Sequence, residues 1–198
     1  MPVSKLDRQE QVRIYKRFTT TRDSRAVAGI AFEAVGHFRL HDGMSLELLP
    51  MVHLPRSRED SLPQWYSSHL LLRNAGLEPL RQNALRCAFT IEVRPSETIE
   101  YGDDSPLSIE SDAFYVPQIT NQVAFDAFIL LNGILYLIQF TVAESYDIKP
   151  GLKDFLTTCS NIPNIENWRF VFVIQPNQTL ICRQPRLLDT VYSTVLAP

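Results

Sequence analysis

Three polar side chains stand out in an otherwise apolar stretch near the middle of the sequence. Asp126 precedes one apolar run, and Gln139 and Thr141 lie near the end of the next. A carboxylate, an amide and a hydroxyl can supply oxygen ligands to a hard divalent cation. Such groups can equally form a hydrogen-bonded pair across two strands. The elements that position these residues therefore decide what chemistry they can do.

A tight β-hairpin is the element that holds these three residues. Asn132-Gly133 separates the two apolar runs, and this pair favours a two-residue type I′ turn because both turn residues need positive φ. The turn fixes the register, so we expect Asp126 opposite Gln139 as a non-hydrogen-bonded pair, the kind whose side chains lie closest. Period two puts Thr141 on the face of Gln139. Apolar side chains on both faces predict a central, covered hairpin.

An amphipathic helix is predicted ahead of the hairpin. Asp23 or Ser24 is a suitable N-cap, and the helix runs to about Leu40 before Asp42-Gly43 ends it. Glu33 lies well away from the core stripe, on a second and partly apolar face. We expect this glutamate either at a rim in water or turned toward a polar site. The predicted core stripe consists of Val27, Ala31, Ala34, Val35 and Phe38.

Strand and helix patterns alternate along the rest of the chain. Residues 44–53 read as a strand interrupted by Pro50, and residues 87–94 alternate as a half-buried strand does. After the hairpin, the pattern predicts a helix from about Pro150 and a strong strand over residues 168–174. A short strand over residues 180–183 and a final helix over residues 186–196 complete the prediction.

The run from Tyr115 to Lys149 resembles a known family. It carries a Tyr and a Pro ahead of the hairpin, an Asn shortly before Asp126, and the sequence Gln-Phe-Thr-Val from Gln139. An Asp on one strand followed by a polar-x-polar triplet on the next is similar to the PD-(D/E)XK nucleases. The wider run resembles the nuclease-like domain of retrotransposon hot spot and Crinkler-type proteins. This resemblance covers residues 24 to about 175.

The resemblance implies a fold and a metal site. The fold is α/β, with a restriction-endonuclease-like α-β-β-β-α-β core in which helices flank a mixed sheet around the Asn-Gly hairpin. Asp126 would be the principal ligand of Mg²⁺ or Mn²⁺. Gln139 would offer its amide oxygen, Phe140 its backbone carbonyl, and Glu33 of the first helix a second negative charge. The implied activity is metal-dependent cleavage of DNA or RNA phosphodiesters.

The sequence departs from the family pattern at two positions of the site. Gln139 stands where the family has an acid, and Thr141 stands where it has a lysine. A threonine hydroxyl is neutral and cannot replace a lysine cation. Lys149, at the start of the next predicted helix, is the candidate substitute because a helix N-terminus also favours anions. The alternative is a catalytically inactive Crinkler-type effector, a module that binds protein partners.

Composition is that of one globular domain. The chain has 198 residues, of which 45% are hydrophobic and 21% charged, so we predict an arm over residues 1–22 and one domain over residues 23–198 with an insertion around 54–112. Residues 1–25 carry a net charge of +4 and the remainder −7, so the body lacks the basic character of a general nucleic-acid binder. The basic arm could contact phosphates, but a solvated helix or a linker to an upstream module is the simpler explanation.

Other features of the sequence bear on cellular location, on the state of the cysteines and on zinc binding. No apolar run is long enough to cross a bilayer and no apolar signal core is present. We therefore expect an intracellular protein that does not act in a membrane, or a domain given without its targeting segment. Three cysteines without metal-like spacing favour reduced thiols. His37 and His41 have the i, i+4 spacing of some zinc sites, but the helix dipole already explains His41 near the helix C-terminus. We therefore do not predict a zinc site there.

Overall fold

A computed structural model describes residues 7, 9–10, 13–14, 25–54, 64–66, 88–102, 107–118, 125–148, 151–176, 178–183 and 191–196. Its first half contains helix α1 (Arg25–Asp42) and strands β1 (Met44–Pro50), β2 (Val52–Leu54), β3 (Gln64–Tyr66), β4 (Phe89–Val93), β5 (Glu97–Tyr101) and β6 (Ala113–Pro117). Its second half contains β7 (Ala127–Leu131), β8 (Ile134–Thr141), β9 (Ser145–Asp147), helix α2 (Gly151–Thr157), a 3-10 turn (Ile165–Asn167), β10 (Trp168–Ile174), β11 (Ile181–Arg183) and β12 (Val191–Val195).

Eight strands form a mixed sheet in the order β4-β1-β12-β10-β8-β7-β6-β5. The β7–β8 hairpin has the predicted register, since Leu131 pairs with Ile134 across the turn. Asn132 and Gly133 have φ values of 51° and 76°, as a type I′ turn requires. Every residue of β7 is buried, and so is every residue of β8 after Ile134. The prediction of a covered, central hairpin is confirmed, and the fold is α/β.

The hairpin leads into a parallel crossover. Strand β8 continues through α2 into β10, which lies parallel to β8 on the side opposite β7. The strands β6, β7, β8 and β10 are therefore consecutive neighbours, antiparallel across the first two contacts and parallel across the third. Strand β12 lies parallel to β10 and extends the sheet beyond it.

Two hydrophobic cores cover the two faces of the sheet. One core contains Leu152 and Leu156 of α2 together with Leu137 of β8. The other contains Phe32 and other apolar residues of α1, together with the β8 residues that point to that face. Each helix thus closes one face, because adjacent residues of a buried strand point in opposite directions.

Helix α1 lies close against the end of β8. A Cβ atom built at Gly36 would overlap the ring of Phe140, so the absence of a side chain allows this approach. The helix ends as predicted at Gly43, whose φ is 86° and whose amide donates to the Leu40 carbonyl at 3.2 Å.

The predicted core stripe of α1 is only partly correct. Ala31 and Val35 are buried, but Phe38 is 37% exposed, while Ala28 and Phe32 are buried instead. Val27 and Ala34 are half-buried. The helix is rotated relative to the predicted stripe because the side that carries Gly36, which has no side chain, lies against Phe140 of the sheet.

The predicted C-terminal helix is wrong where the structure describes it. Val191–Val195 form strand β12, which pairs antiparallel with β1 and parallel with β10. The spacing of apolar residues suited a helix, but β-branched and aromatic residues also suit a strand with partners on both sides. Tertiary pairing decided the outcome, since β12 fills the position between β1 and β10 in the sheet.

A second, four-stranded sheet has the order β2-β3-β11-β9. Strand β2 follows β1 after Met51, so the predicted interruption at Pro50 separates two strands that join different sheets. Strand β9 lies parallel to β11, and Tyr146 pairs with Cys182. This second sheet brings Tyr146 to the end of the β7–β8 hairpin away from its turn.

Strands within the predicted insertion extend the main sheet at both edges. Strand β4 pairs with β1 at one edge, and β5 pairs with β6 at the other. In the predicted arm, the described residues 9–10 and 13–14 are helical, and Ile14 packs against the core that contains α1. The remainder of that arm lies outside the described residues.

Candidate functional site

Asp126 lies at the bend where the chain enters β7. Its amide donates to the Ile138 carbonyl at 2.9 Å, although Ile138 pairs in the ladder with Ala127. Two residues thus face one on β8, as in a β-bulge, and Asp126 does not form the regular pair that the register predicted. Its carboxylate still reaches β8, because Oδ2 accepts a hydrogen bond from the Phe140 amide at 2.7 Å.

Gln139 contacts Asp126 as predicted, through side chains. Its Nε2 donates to Asp126 Oδ2 at 2.5 Å and to the Phe140 carbonyl at 3.2 Å. Its Oε1 accepts a hydrogen bond from the Tyr146 hydroxyl at 2.9 Å. Because Gln139 is only 5% exposed, these contacts satisfy an amide that water barely reaches.

Glu33 of α1 adds negative charge near the same group of residues. The pKa of the Tyr146 phenol is raised to about 12, first by burial and then by the negative charges of Asp126 and Glu33. Burial also raises the pKa of the Glu33 carboxyl above its usual range. The negative charges of both carboxylates therefore disfavour ionisation of this phenol.

His37 follows Glu33 by one helical turn and supports Asp126 from the backbone side. Its ring packs edge-on against Phe114 and Phe140, with centroids 6.0 and 5.2 Å away. Burial lowers the pKa of His37 to about 4, and a hydrogen bond to the backbone of Asp126 offsets this only in part. The ring is therefore neutral near pH 7. Its buried Nε2 has no hydrogen-bond partner among the described residues.

Thr141 and His41 each have a hydrogen-bond partner of their own. Thr141 is buried, and its Oγ1 accepts a hydrogen bond from the Ala143 amide at 3.0 Å. Lys149 lies outside the described residues. His41 bonds to Thr98 through Nδ1 at 2.7 Å. Its surroundings therefore differ from those of His37 one turn earlier, which packs against aromatic rings.

The arrangement is a partly buried polar cluster at the carboxyl end of β8, where ligands bind in many open α/β sheets. It combines two carboxylates, an amide, a phenol and the Phe140 carbonyl. No group of three or more His, Cys, Asp or Glu residues suited to a metal ion occurs in the part of the chain that the structure describes. A cation here would therefore depend on two carboxylates and neutral oxygens.

Sequence reasoning did not assign Tyr146 to the site. This residue lies on β9, in the second sheet, and no local pattern links it to Gln139 seven positions earlier. The sequence placed His37 on the helix face of Glu33 but suggested a chemical role for it only as a zinc ligand. Its position four residues after Glu33, on the same side of a helix, was the one available signal that both face one site.

Comparisons with family models, with curated proteins and with solved structures found no match for this chain. Among the described residues, no helix is both long and apolar enough to cross a membrane.

Proposed function

We propose that this chain is a restriction-endonuclease-like domain that uses a divalent cation to engage and cleave nucleic-acid phosphodiesters. The observation that carries the proposal is the polar contact at the end of β8, where the Asp126 carboxylate accepts hydrogen bonds from the Gln139 side chain and from the Phe140 amide. The negative charges of Asp126 and of Glu33 from α1 both contribute to raising the pKa of the Tyr146 phenol. Two separate elements supply these charges, which is the arrangement expected from the resemblance to the PD-(D/E)XK nucleases.

The order of elements supports the same proposal. Helix α1 is followed by β6, β7 and β8, then by α2 and β10, and these four strands are neighbours in the sheet. This is an α-β-β-β-α-β order with a mixed sheet between two helices. The strands β1 to β5 lie between α1 and β6 in the sequence and join the sheet outside these four strands or form part of the second sheet.

The chemistry of the donors fits Mg²⁺ or Mn²⁺, since Asp126, Glu33 and the Phe140 carbonyl offer hard oxygen atoms. A cation bound there would polarise a phosphoryl oxygen and lower the pKa of a bound water. The burial that raises the pKa of Glu33 reflects an unfavourable ionised form, which a nearby positive charge would favour. The residues of this chain would hold the cation and exclude bulk water.

In this proposal, Lys149 supplies the positive charge that interacts with the phosphate of the nucleic acid. Thr141 bonds to the Ala143 amide and has no charge to offer. Lys149 follows β9 by two residues and precedes α2. Cleavage by Lys149→Ala at the rate of the natural protein would remove the lysine from this role and leave the carboxylates in theirs.

The test is a cleavage assay with Mg²⁺ and with Mn²⁺ on single-stranded DNA, duplex DNA and RNA. Asp126→Asn should lower the rate by about 100-fold or more, because it removes the principal negative charge of the cation site. Glu47→Gln, an exposed acid on β1, is the matched control and should leave the rate unchanged. Cleavage that persists in Asp126→Asn or in excess chelator would rule out this site.

A second candidate function is a catalytically inactive module of the Crinkler type that binds a protein partner. The observation that favours it is the set of internal hydrogen bonds at Asp126, whose Oδ2 already accepts from Gln139 and from the Phe140 amide. A folded protein that cleaves none of the three substrates with either metal would favour this candidate.

A further inference from the structure

The amide group of Gln139 bridges two of the oxygen atoms assigned to the cation. Its Nε2 donates to Asp126 Oδ2 at 2.5 Å and to the Phe140 carbonyl at 3.2 Å. Both partners are acceptors, since an ionised carboxylate and a carbonyl have no proton to give. The end of the amide that faces them must therefore be the NH₂ group, whose hydrogens carry partial positive charge.

Tyr146 fixes the other end of the amide. Its hydroxyl donates to Gln139 Oε1 at 2.9 Å. A tyrosine hydroxyl keeps its proton near pH 7, so it acts as the donor in this hydrogen bond. Its ring is held edge-on against Phe172 at a centroid distance of 5.7 Å, and its backbone pairs with Cys182 on β11. The amide oxygen thus points toward Tyr146 and away from Asp126.

We infer that the Gln139 amide, oriented by Tyr146, takes the place of a cation between Asp126 and the Phe140 carbonyl and so lowers the affinity of the site for divalent metals. This inference rests on the proposed metal site. It gives Gln139 a role opposite to that of a ligand. A ligand must turn its oxygen toward the cation, whereas this amide presents its nitrogen.

The two roles of Gln139 predict opposite changes in metal affinity when this residue is substituted. Gln139→Met keeps a long side chain of similar size but has no N–H group to bridge the two oxygens. If the amide competes with the cation, Gln139→Met should bind Mn²⁺ about tenfold more tightly than the natural protein, as expected for loss of one charge-assisted hydrogen bond to Asp126. If the amide oxygen is a ligand, the same substitution should weaken binding.

The experiment is calorimetric titration of the full chain with Mn²⁺, for the natural protein, Gln139→Met, Gln139→Glu and Asp126→Asn. Gln139→Glu restores the acid of the family pattern and should bind most tightly of the four. Equal or weaker binding by Gln139→Met, with Gln139→Glu binding and Asp126→Asn not binding, would overturn the inference and leave the proposed metal site standing. No binding even by Gln139→Glu would overturn both.

A second measurement keeps Gln139 in place and does not depend on how a variant folds. The side-chain amide resonances of Gln139 are followed by NMR in the natural protein during titration with Mg²⁺. They should shift strongly at saturation and return on addition of chelator, because the cation displaces the NH₂ group from Asp126. Resonances that stay unchanged while Mg²⁺ binds would contradict the inference.

Discussion

The two ends of the β7–β8 hairpin are equally buried but differ in chemistry. At the turn end, Leu131 and Leu135 pack in an apolar environment and only the turn residues are polar. At the open end, Gln139 and Thr141 are each 5% exposed and form hydrogen bonds with groups from outside β8. At the turn end, pairing between β7 and β8 is enough to hold the residues in place. The open end also depends on contacts with α1 and with the second sheet.

This difference shows how a buried strand can accommodate polar groups. Burial of an amide without a partner is unfavourable by about 1–3 kcal/mol in proteins, and burial of an ionised carboxylate without a partner is more unfavourable still. At the open end, the Phe140 amide and the Gln139 amide both donate to Asp126, and Tyr146 donates to Gln139. The open end should therefore be sensitive to loss of one partner, and the turn end to backbone conformation.

Among the variants that compare the two ends of the hairpin, Asp126→Ala should cause the largest loss of stability. It leaves the amide of Phe140 and the amide of Gln139 without their common acceptor, and we expect the free energy of unfolding to fall by about 3 kcal/mol. Urea denaturation followed by circular dichroism measures this change. Asp126→Asn retains one acceptor oxygen and should lose less. A loss below about 1 kcal/mol in Asp126→Ala would contradict the importance of these bonds.

Gly36→Ala tests the contact between α1 and the open end. An added Cβ would overlap the buried ring of Phe140, so we expect the free energy of unfolding to fall by about 2 kcal/mol. Gly29→Ala, in the same helix, is the matched control. Its nearest atom outside the helix is Val142 Cγ2 at 3.7 Å, an ordinary contact. There, the better helix propensity of Ala should raise stability by up to about 1 kcal/mol.

If the two alanine variants change stability by the same amount and in the same direction, the close approach at Gly36 is not a constraint. Thermal unfolding of both variants at one pH gives that answer directly. A crystal structure of Gly36→Ala would also reveal whether α1 or the Phe140 ring moves.

His37, which lies near the open end, should make the stability of the protein depend on pH. Its pKa is about 4 in the folded protein and near 6.5 when unfolded, so the unfolded chain binds more protons between these values. Stability from the neutral ring is complete above pH 6.5 and falls as the pH drops toward 4. Between pH 7.5 and pH 5, the loss should be about 2 kcal/mol. Urea unfolding at several pH values measures it.

The Glu33 carboxyl changes stability with pH in the direction opposite to that of His37. Its pKa is raised in the folded protein, so its contribution to stability is complete below pH 4.5 and falls as the pH rises through the folded value. The effect of His37 is therefore taken as the difference between the natural protein and His37→Gln. His41→Gln, which alters an exposed histidine of the same helix, is the control. An identical pH profile for His37→Gln and the natural protein would contradict the prediction.

Gly133→Ala should give the smallest effect, and it concerns the turn end alone. No atom lies within 4 Å of an added Cβ, so only the φ of 76° is unfavourable for alanine. We expect a loss of about 1 kcal/mol in the free energy of unfolding. Gly102→Ala also meets only an ordinary contact, with Gln118 at 3.8 Å, and has no positive φ. Equal stability of the two variants would indicate a relaxed turn.

Local features of the sequence were enough to predict the hairpin and the end of α1. The Asn132-Gly133 pair set the register because only a primed turn matches the strand twist, and Gly43 ended the helix because its φ is positive. The alternating pattern over residues 168–174 predicted β10 because successive side chains of a strand point to opposite faces. Each of these signals acts within a few residues, where backbone geometry alone decides.

Tertiary structure decided the features that join distant segments. β12 is a strand because β1 and β10 leave a position between them, which no periodicity in residues 186–196 could reveal. Asp126 and Gln139 could be paired from the hairpin, but Tyr146 enters from another sheet and determines which end of the amide faces Asp126. The sequence thus determined which residues meet across a tight turn. The orientation of their polar atoms depended on burial and on partners brought together by folding.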